Sequence, residues 1–176
     1  ESFQHKYIYG RIFVDAHTGD CATYCQRNKN AEETVATTKL YEAHMATAGT
    51  VRHFHSDGAK ELIGTAMWEH CLSKKSPCML SNIVAEHPNL NNMAEGAFWI
   101  LFSMVRAMLM ESNLERTHWP VAYTYAGYLY RRSPRVYRRL NKVSTPYEQL
   151  YNAPPDISSI RMFGCVCHAL LSPTEL

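Results

Sequence analysis

Three carboxylates sit in settings that metal chemistry would need. Asp15 closes the apolar run Tyr7-Ile-Tyr-Gly-Arg-Ile-Phe-Val-Asp, and Asp57 closes Val51-Arg-His-Phe-His-Ser-Asp. Glu95 stands at the start of a strongly periodic segment, Asn91-Asn-Met-Ala-Glu-Gly-Ala-Phe-Trp. Carboxylates are hard oxygen donors suited to Mg2+ or Mn2+. Two Asp at strand ends and one Glu on a helix make a donor set for two divalent ions. Such a pair clamps the attacking and leaving oxygens of a phosphodiester. Three close anions repel one another, and bound metal relieves that repulsion. No covalent protein nucleophile is then needed. Each carboxylate also has a local reading: Asp15 before a turn, Asp57-Gly58 as a turn dipeptide, and Glu95 in the near capping box Asn92-x-x-Glu95. The order strand, strand, helix favours the catalytic reading of Asp15, Asp57 and Glu95 together, as catalytic and metal-binding residues.

Two further clusters carry chemistry. Alternation along a strand puts His53, His55 and Asp57 on one face, a donor set that zinc accepts when more ligands converge. A structural or nucleic-acid-proximal role is the alternative for the two imidazoles. Six of the 18 Lys and Arg residues lie between Arg131 and Lys142, namely Arg131, Arg132, Arg135, Arg138, Arg139 and Lys142, interleaved by Tyr128, Tyr130 and Tyr137. This stretch reads either as a solvated basic loop or as a phosphate-contacting one, whose binding would weaken steeply with salt. Lys60 and Arg106 are additional candidates for DNA backbone contact.

The elements that must position these residues follow from period and punctuation. Residues 7–15 and 21–26 read as strands joined by the turn His17-Thr-Gly-Asp, an antiparallel hairpin. Asn28-Lys-Asn breaks the chain and caps a helix over 31–47, stopped by Gly49. A third strand covers 51–56, a helix 61–74, and a short strand 77–80. Residues 82–90 read as a loop. The clearest helix runs 92–111, with Ala97, Phe98, Leu101, Met104, Val105, Met108 and Leu109 at helical spacing. Another covers 119–131 and opens with Pro120, where a missing N–H costs nothing. A basic loop starts at Ser133, a short helical element at Thr145, and a late strand at 160–171. The alternation predicts an α/β layered domain with a mixed sheet and a starting hairpin.

Composition bounds the rest. The 176 residues suffice for one real core, and 46% hydrophobic with 19% charged residues describes a globular chain. The net charge of +2 says little about partners. No apolar run approaches the roughly 20 residues of a bilayer span. The polar start is not a signal peptide, and the missing initiator Met predicts a piece of something longer. Cys21, Cys25, Cys71, Cys78, Cys165 and Cys167 form no C-x2-C pair and read as reduced intracellular thiols rather than a disulfide set. Cys165 and Cys167, in a strand, would include one buried thiol and one pointing the other way.

With these residues in view, the chain resembles the integrase catalytic core of copia-type LTR retrotransposons. Phe13-Val-Asp15-Ala-His-Thr-Gly resembles an apolar strand ending in Asp-Asp. His55-Ser-Asp57-Gly58-Ala-Lys-Glu61-Leu resembles Arg-Ser-Asp-Asn-Gly-Gly-Glu-Phe, and Asn91-Asn-Met-Ala-Glu95 resembles Gln-Asn-Gly-Val-Ala-Glu. Asp57 and Glu95 have 37 residues between them, close to the family spacing. Met104-Val-Arg-Ala-Met-Leu109, His118-Trp-Pro-Val-Ala122, Tyr128-Leu-Tyr-Arg-Arg-Ser-Pro134, Thr145-Pro-Tyr-Glu148 and Ile160-Arg-Met-Phe-Gly-Cys165 also match. The resemblance implies a ribonuclease-H-like fold: a mixed five-stranded sheet flanked by helices, in a core over 5–143, with a C-terminal helical and strand extension over 144–176 packed on it. It also implies 3′-end processing and DNA strand transfer with two Mg2+ or Mn2+ ions, DNA ends and target DNA as partners, a homo-oligomer, and a nuclear or cytoplasmic location. A repurposed nucleic-acid-binding module and a metal-dependent nuclease of the same fold are the rivals. The departures are local. Gly96, Ala97, Phe98 and Trp99 stand where the family usually has basic residues, and Gly58-Ala59-Lys60 replaces the glycine pair. The family's upstream His/Cys zinc module lies outside these residues.

Overall fold

Alternation along the first hairpin divides the molecule into two cores. The computed structural model describes residues 6–74, 77–82, 92–137 and 141–167, with Asn92 described in its backbone alone. Strand β1 (Tyr9–Val14) pairs antiparallel with β2 (Cys21–Gln26), with Phe13 opposite Ala22 and Val14 opposite Cys21. Side chains of a strand alternate between faces. Ile12, Val14, Cys21 and Cys25 therefore enter one core, while Phe13, Ala22 and Tyr24 enter the other.

The first core is closed by two helices, α4 (Asn92–Glu111) and α5 (Trp119–Arg132). Ala97, Leu101 and Val105 of α4 meet Ala122, Tyr123, Ala126 and Tyr130 of α5 over the hairpin. Close approach is built into the sequence: a Cβ on Gly127 would lie 2.5 Å from Thr23 Oγ1 of β2. Contrary to the expectation from run length, α4 is long and apolar enough to cross a membrane by length and composition. Its buried stripe nevertheless packs into this core, leaving Phe98, Trp99, Ile100 and Phe102 exposed on the other side.

The second core lies on the opposite face of the hairpin. Helix α1 (Ala31–Met45) is capped as anticipated, with Asn30 Oδ1 accepting from Glu33 N at 2.9 Å. Tyr41 of α1 stacks on Phe13 at 4.5 Å between ring centroids. Strand β3 (His53–Ser56) adds Phe54 to the same cluster. The helix expected over 61–74 is interrupted at Gly64, giving α2 (Lys60–Ile63) and α3 (Thr65–Leu72), and Met67 and Cys71 of α3 are buried. Strand β4 (Met79–Asn82) lies parallel to β3. The loop expected over 82–90 falls, from residue 83 on, outside the described residues.

Two expectations change after α5. The basic loop after Ser133 holds two short antiparallel strands, β5 (Arg135–Tyr137) and β6 (Lys142–Ser144). Arg138 and Arg139 lie outside the described residues. Helix α6 (Pro146–Tyr151) forms as read, with Thr145 Oγ1 accepting from Glu148 N. The late strand does not form over its described part, 160–167, which is turn and irregular chain. That segment packs through side chains instead: Phe163 lies against Tyr125 of α5, and Cys165 and Cys167 are both exposed. Apolar residues read as a strand thus serve as single anchors. The described strands make three separate two-stranded ladders, β1–β2, β3–β4 and β5–β6, rather than one five-stranded sheet.

Candidate functional site

Asp15 and Asp57 lie along the seam between β1 and β3, but at different places along it. Asp15 follows β1 and is turned into its own loop: Oδ2 accepts from Thr18 N at 2.8 Å and from Thr18 Oγ1 at 2.6 Å. It lines a cleft of about 650 Å3, together with residues 49–55 at the start of β3 and Met93 and Ala94 at the start of α4. Asp57 is exposed after β3 and lines a second cleft of about 280 Å3, together with Tyr9, Gly10 and Arg11 at the start of β1. Strands β1 and β3 therefore run in opposite directions across the seam. Ala94, which precedes the exposed Glu95, lines both clefts.

This opposition separates two of the expected metal ligands. On β1, the cleft that Asp57 lines takes in Tyr9 to Phe13, centred on Arg11, four positions before Asp15. At ~3.3 Å per residue that is about 13 Å along the strand, far more than the ~4 Å between paired catalytic ions. Among the described residues no group of three His, Cys, Asp or Glu side chains is gathered to hold a metal ion. The residues as arranged do not form a two-ion site.

Arg11 is a site residue that sequence reasoning missed. Its Nε donates to Gln26 Oε1 at 3.0 Å and its guanidinium to Thr34 Oγ1 at 3.2 Å. Burial pulls its pKa below the ordinary value, opposed by the charges of Glu61, Asp57 and Glu33. Arg11 thus brings a positive charge to the cleft that Asp57 lines. The signal was an Arg in a strand whose other residues are apolar or aromatic. His53 and His55 lie on one strand face as read, but share a single partner: Ser81 Oγ of β4, at 2.6 Å from His53 Nε2 and 2.8 Å from His55 Nδ1. One hydroxyl tying two imidazoles is a structural link between parallel strands.

The basic cluster is dispersed by the fold. Arg131 Nε pairs with Asp20 Oδ1 at 2.7 Å, with the Asp20 side chain 1% exposed. Burial would lower the Arg131 pKa, but the hydrogen bond and charge of Asp20 outweigh it and raise it. Arg132 stacks on Tyr128 and Arg135 on Tyr130, each at 3.5 Å to the ring centroid. Such stacking is the ordinary use of a guanidinium over an aromatic face. Lys60, Arg106 and Lys142 are exposed.

No family model matches the chain. It is 29% identical over 172 residues, 96% of its length, to the retrovirus-related Pol polyprotein from transposon RE1 of Arabidopsis thaliana, of which it spans 11%. It is also 29% identical over 86 residues to the corresponding polyprotein from transposon RE2, covering 49% of this chain and 6% of that one. In three dimensions it matches a chain of the simian T-cell lymphotropic virus intasome solved with PP2A regulatory subunit B56 gamma. The TM-score is 0.66 at 17% identity, covering 86% of this chain and 51% of that one. It matches the HTLV-2 integrase catalytic core domain, solved with magnesium, at TM-score 0.63 and 16% identity, covering 85% and 89%. The fold is that of integrase catalytic cores, ribonuclease-H-like, and the resemblance to an LTR-retrotransposon integrase core is borne out.

Proposed function

We propose that this chain is the catalytic core of a retrotransposon integrase, a polynucleotidyl transferase that processes and joins DNA 3′ ends. The observation that carries this reading is the similarity to a transposon Pol polyprotein over 96% of the chain, combined with the integrase-core fold. In this reading residues 5–143 are the core and 144–176 an extension on it. The β1–β2 and β3–β4 ladders are taken as parts of one five-stranded sheet, and the site centres on the exposed Asp57. Asp57 and Glu95 are the acidic residues of the reaction, and Arg11 brings a positive charge to the Asp57 cleft. Asp15 is held in its turn by Thr18 and is not grouped with them. Mg2+ is the proposed cofactor, but the carboxylates as placed do not surround one point, so no step is assigned to it. DNA is the proposed partner, met by the exposed Lys60, Arg106 and Lys142, and the active form is a homo-oligomer in the cell interior. The test is a gel assay with short duplexes bearing element ends. End-joined products support strand transfer; cleaved ends alone indicate a nuclease.

A second reading, a binding module of the same fold, is favoured by one observation. Phe98, Trp99, Ile100 and Phe102 are exposed next to Glu95, where charge would be expected of a DNA-facing helix. Retained DNA binding with neither cleavage nor joining would select it.

A further inference from the structure

Helix α4 carries apolar stripes on two opposite sides. One, through Ala97, Leu101 and Val105, enters the first core. The other holds Phe98, Trp99 and Phe102, which are 40%, 64% and 44% exposed. Phe98 stacks on Phe102 with ring centroids 5.9 Å apart and stands edge-on to Trp99 at 6.0 Å. The three rings are therefore one continuous surface, not scattered residues. At ~200 Å2 per aromatic side chain they hold about 300 Å2 of free apolar area, and Met110 adds to the same side. A contiguous patch of this size commonly marks an interaction site.

Charge selects the occupant. Helix α4 has a single Lys or Arg, Arg106, against Glu95 and Glu111. A phosphate backbone calls for several cations, and an anionic membrane surface for a basic face; this helix offers neither. Glu95 and Arg106, both exposed, are three turns apart, about 16 Å along the axis. They cannot pair within one copy, and they flank the rings at either end of one stripe. Such a stripe complements itself when turned end for end. Laid antiparallel on a second copy about the midpoint between Ile100 and Leu101, Glu95 meets Arg106 of the second copy, Trp99 meets Phe102, and Phe98 meets Ser103. The row Phe98, Phe102, Arg106, spaced i, i+4, i+8, then lies against the row Ser103, Trp99, Glu95 of the second copy, ridge on groove.

We propose that the Phe98, Trp99 and Phe102 face of α4 is a homodimer interface, in which two copies of this chain pack α4 antiparallel with reciprocal Glu95–Arg106 ion pairs. The rings form the dry centre and the charges the rim. The rings of both copies contribute about 600 Å2, which with the flanking contacts places the dimer in the class of weak, reversible interfaces. The pairing engages Glu95. This dimer is therefore a different state from the DNA-joining form in the reading above, and its test needs no DNA.

Analytical ultracentrifugation of the 176-residue chain tests this. The mass should rise from monomer towards dimer as concentration rises. Phe102→Glu should hold the chain monomeric at the same concentrations and leave its melting temperature nearly unchanged, because the ring is outside the core. Glu95→Arg and Arg106→Glu each set like charges against each other across the two-fold and should each weaken dimerisation by about 5-fold or more. The double variant Glu95→Arg with Arg106→Glu restores opposite charges and should recover the parent's dimerisation. Recovery can come only from pairing between copies, since the two residues are three turns apart within one. A chain that stays monomeric at every concentration overturns the proposal. A dimer untouched by Phe102→Glu overturns it as well, assigning association to another face, and a double variant as weak as the single ones overturns the antiparallel pairing.

Discussion

The two ends of β1 contrast in how their charges are held. At the Val14 end, Asp20 is buried against Arg131, Tyr137 OH donates to Thr18 O at 2.7 Å, and Asp15 is tied to Thr18. At the Tyr9 end, Asp57 is exposed in an open cleft, with Arg11 of β1 lining the same cleft. The first end spends its polar groups on one another and is structural. The second keeps a carboxylate facing solvent. Polar groups that satisfy each other stabilise a fold, whereas a functional group must keep some of its capacity unspent.

Substitutions can break that contrast, and the largest effect belongs to the closed end. Asp20→Ala leaves the Arg131 guanidinium without its carboxylate partner and should cost about 3–5 kcal/mol in denaturant unfolding. Leu101→Ala, in the first core and fully buried, should cost about 3 kcal/mol by the same measurement. Gly127→Ala forces a methyl against Thr23 and should cost about 1–3 kcal/mol. Thiol labelling at pH 8 sharpens the map of burial. Burial pushes Cys21 up to about 12, Cys25 to about 11 and Cys71 to about 12, so these thiols stay protonated and unlabelled. Cys165 and Cys167 are exposed and should react first, as read by mass mapping. The smallest expected stability change is at the open end, where Asp57→Asn should stay within about 0.5 kcal/mol of the parent.

Most elements were legible because their signals are local. The Asn30 cap, the helical period of 92–111 and the turn before Asp20 depend on neighbours a few residues away. The break at Gly64 was hidden because apolar spacing continues across it through Leu62, Ala66 and Trp68. The late strand failed for the converse reason. Phe163 and its neighbours have strand-like composition, yet one aromatic anchor on α5 uses that apolarity without a ladder. At the site, sequence order placed Asp15 and Asp57 after strands but could not give strand direction. Only the antiparallel passage of β1 and β3 reveals that those strand ends lie apart. Arg131 was read as free positive charge because its partner, Asp20, is 111 residues away in sequence.

The most direct measurement is DNA end joining by the polyprotein segment carrying this chain, run side by side on Asp57→Asn and Asp15→Asn. Asp57→Asn should lose joining with the fold intact, whereas Asp15→Asn should retain most of it. Equal loss in both would mean that the two ends of β1 act as one site, contradicting the placement of chemistry at the Asp57 end; full joining in Asp57→Asn would contradict the acidic site altogether.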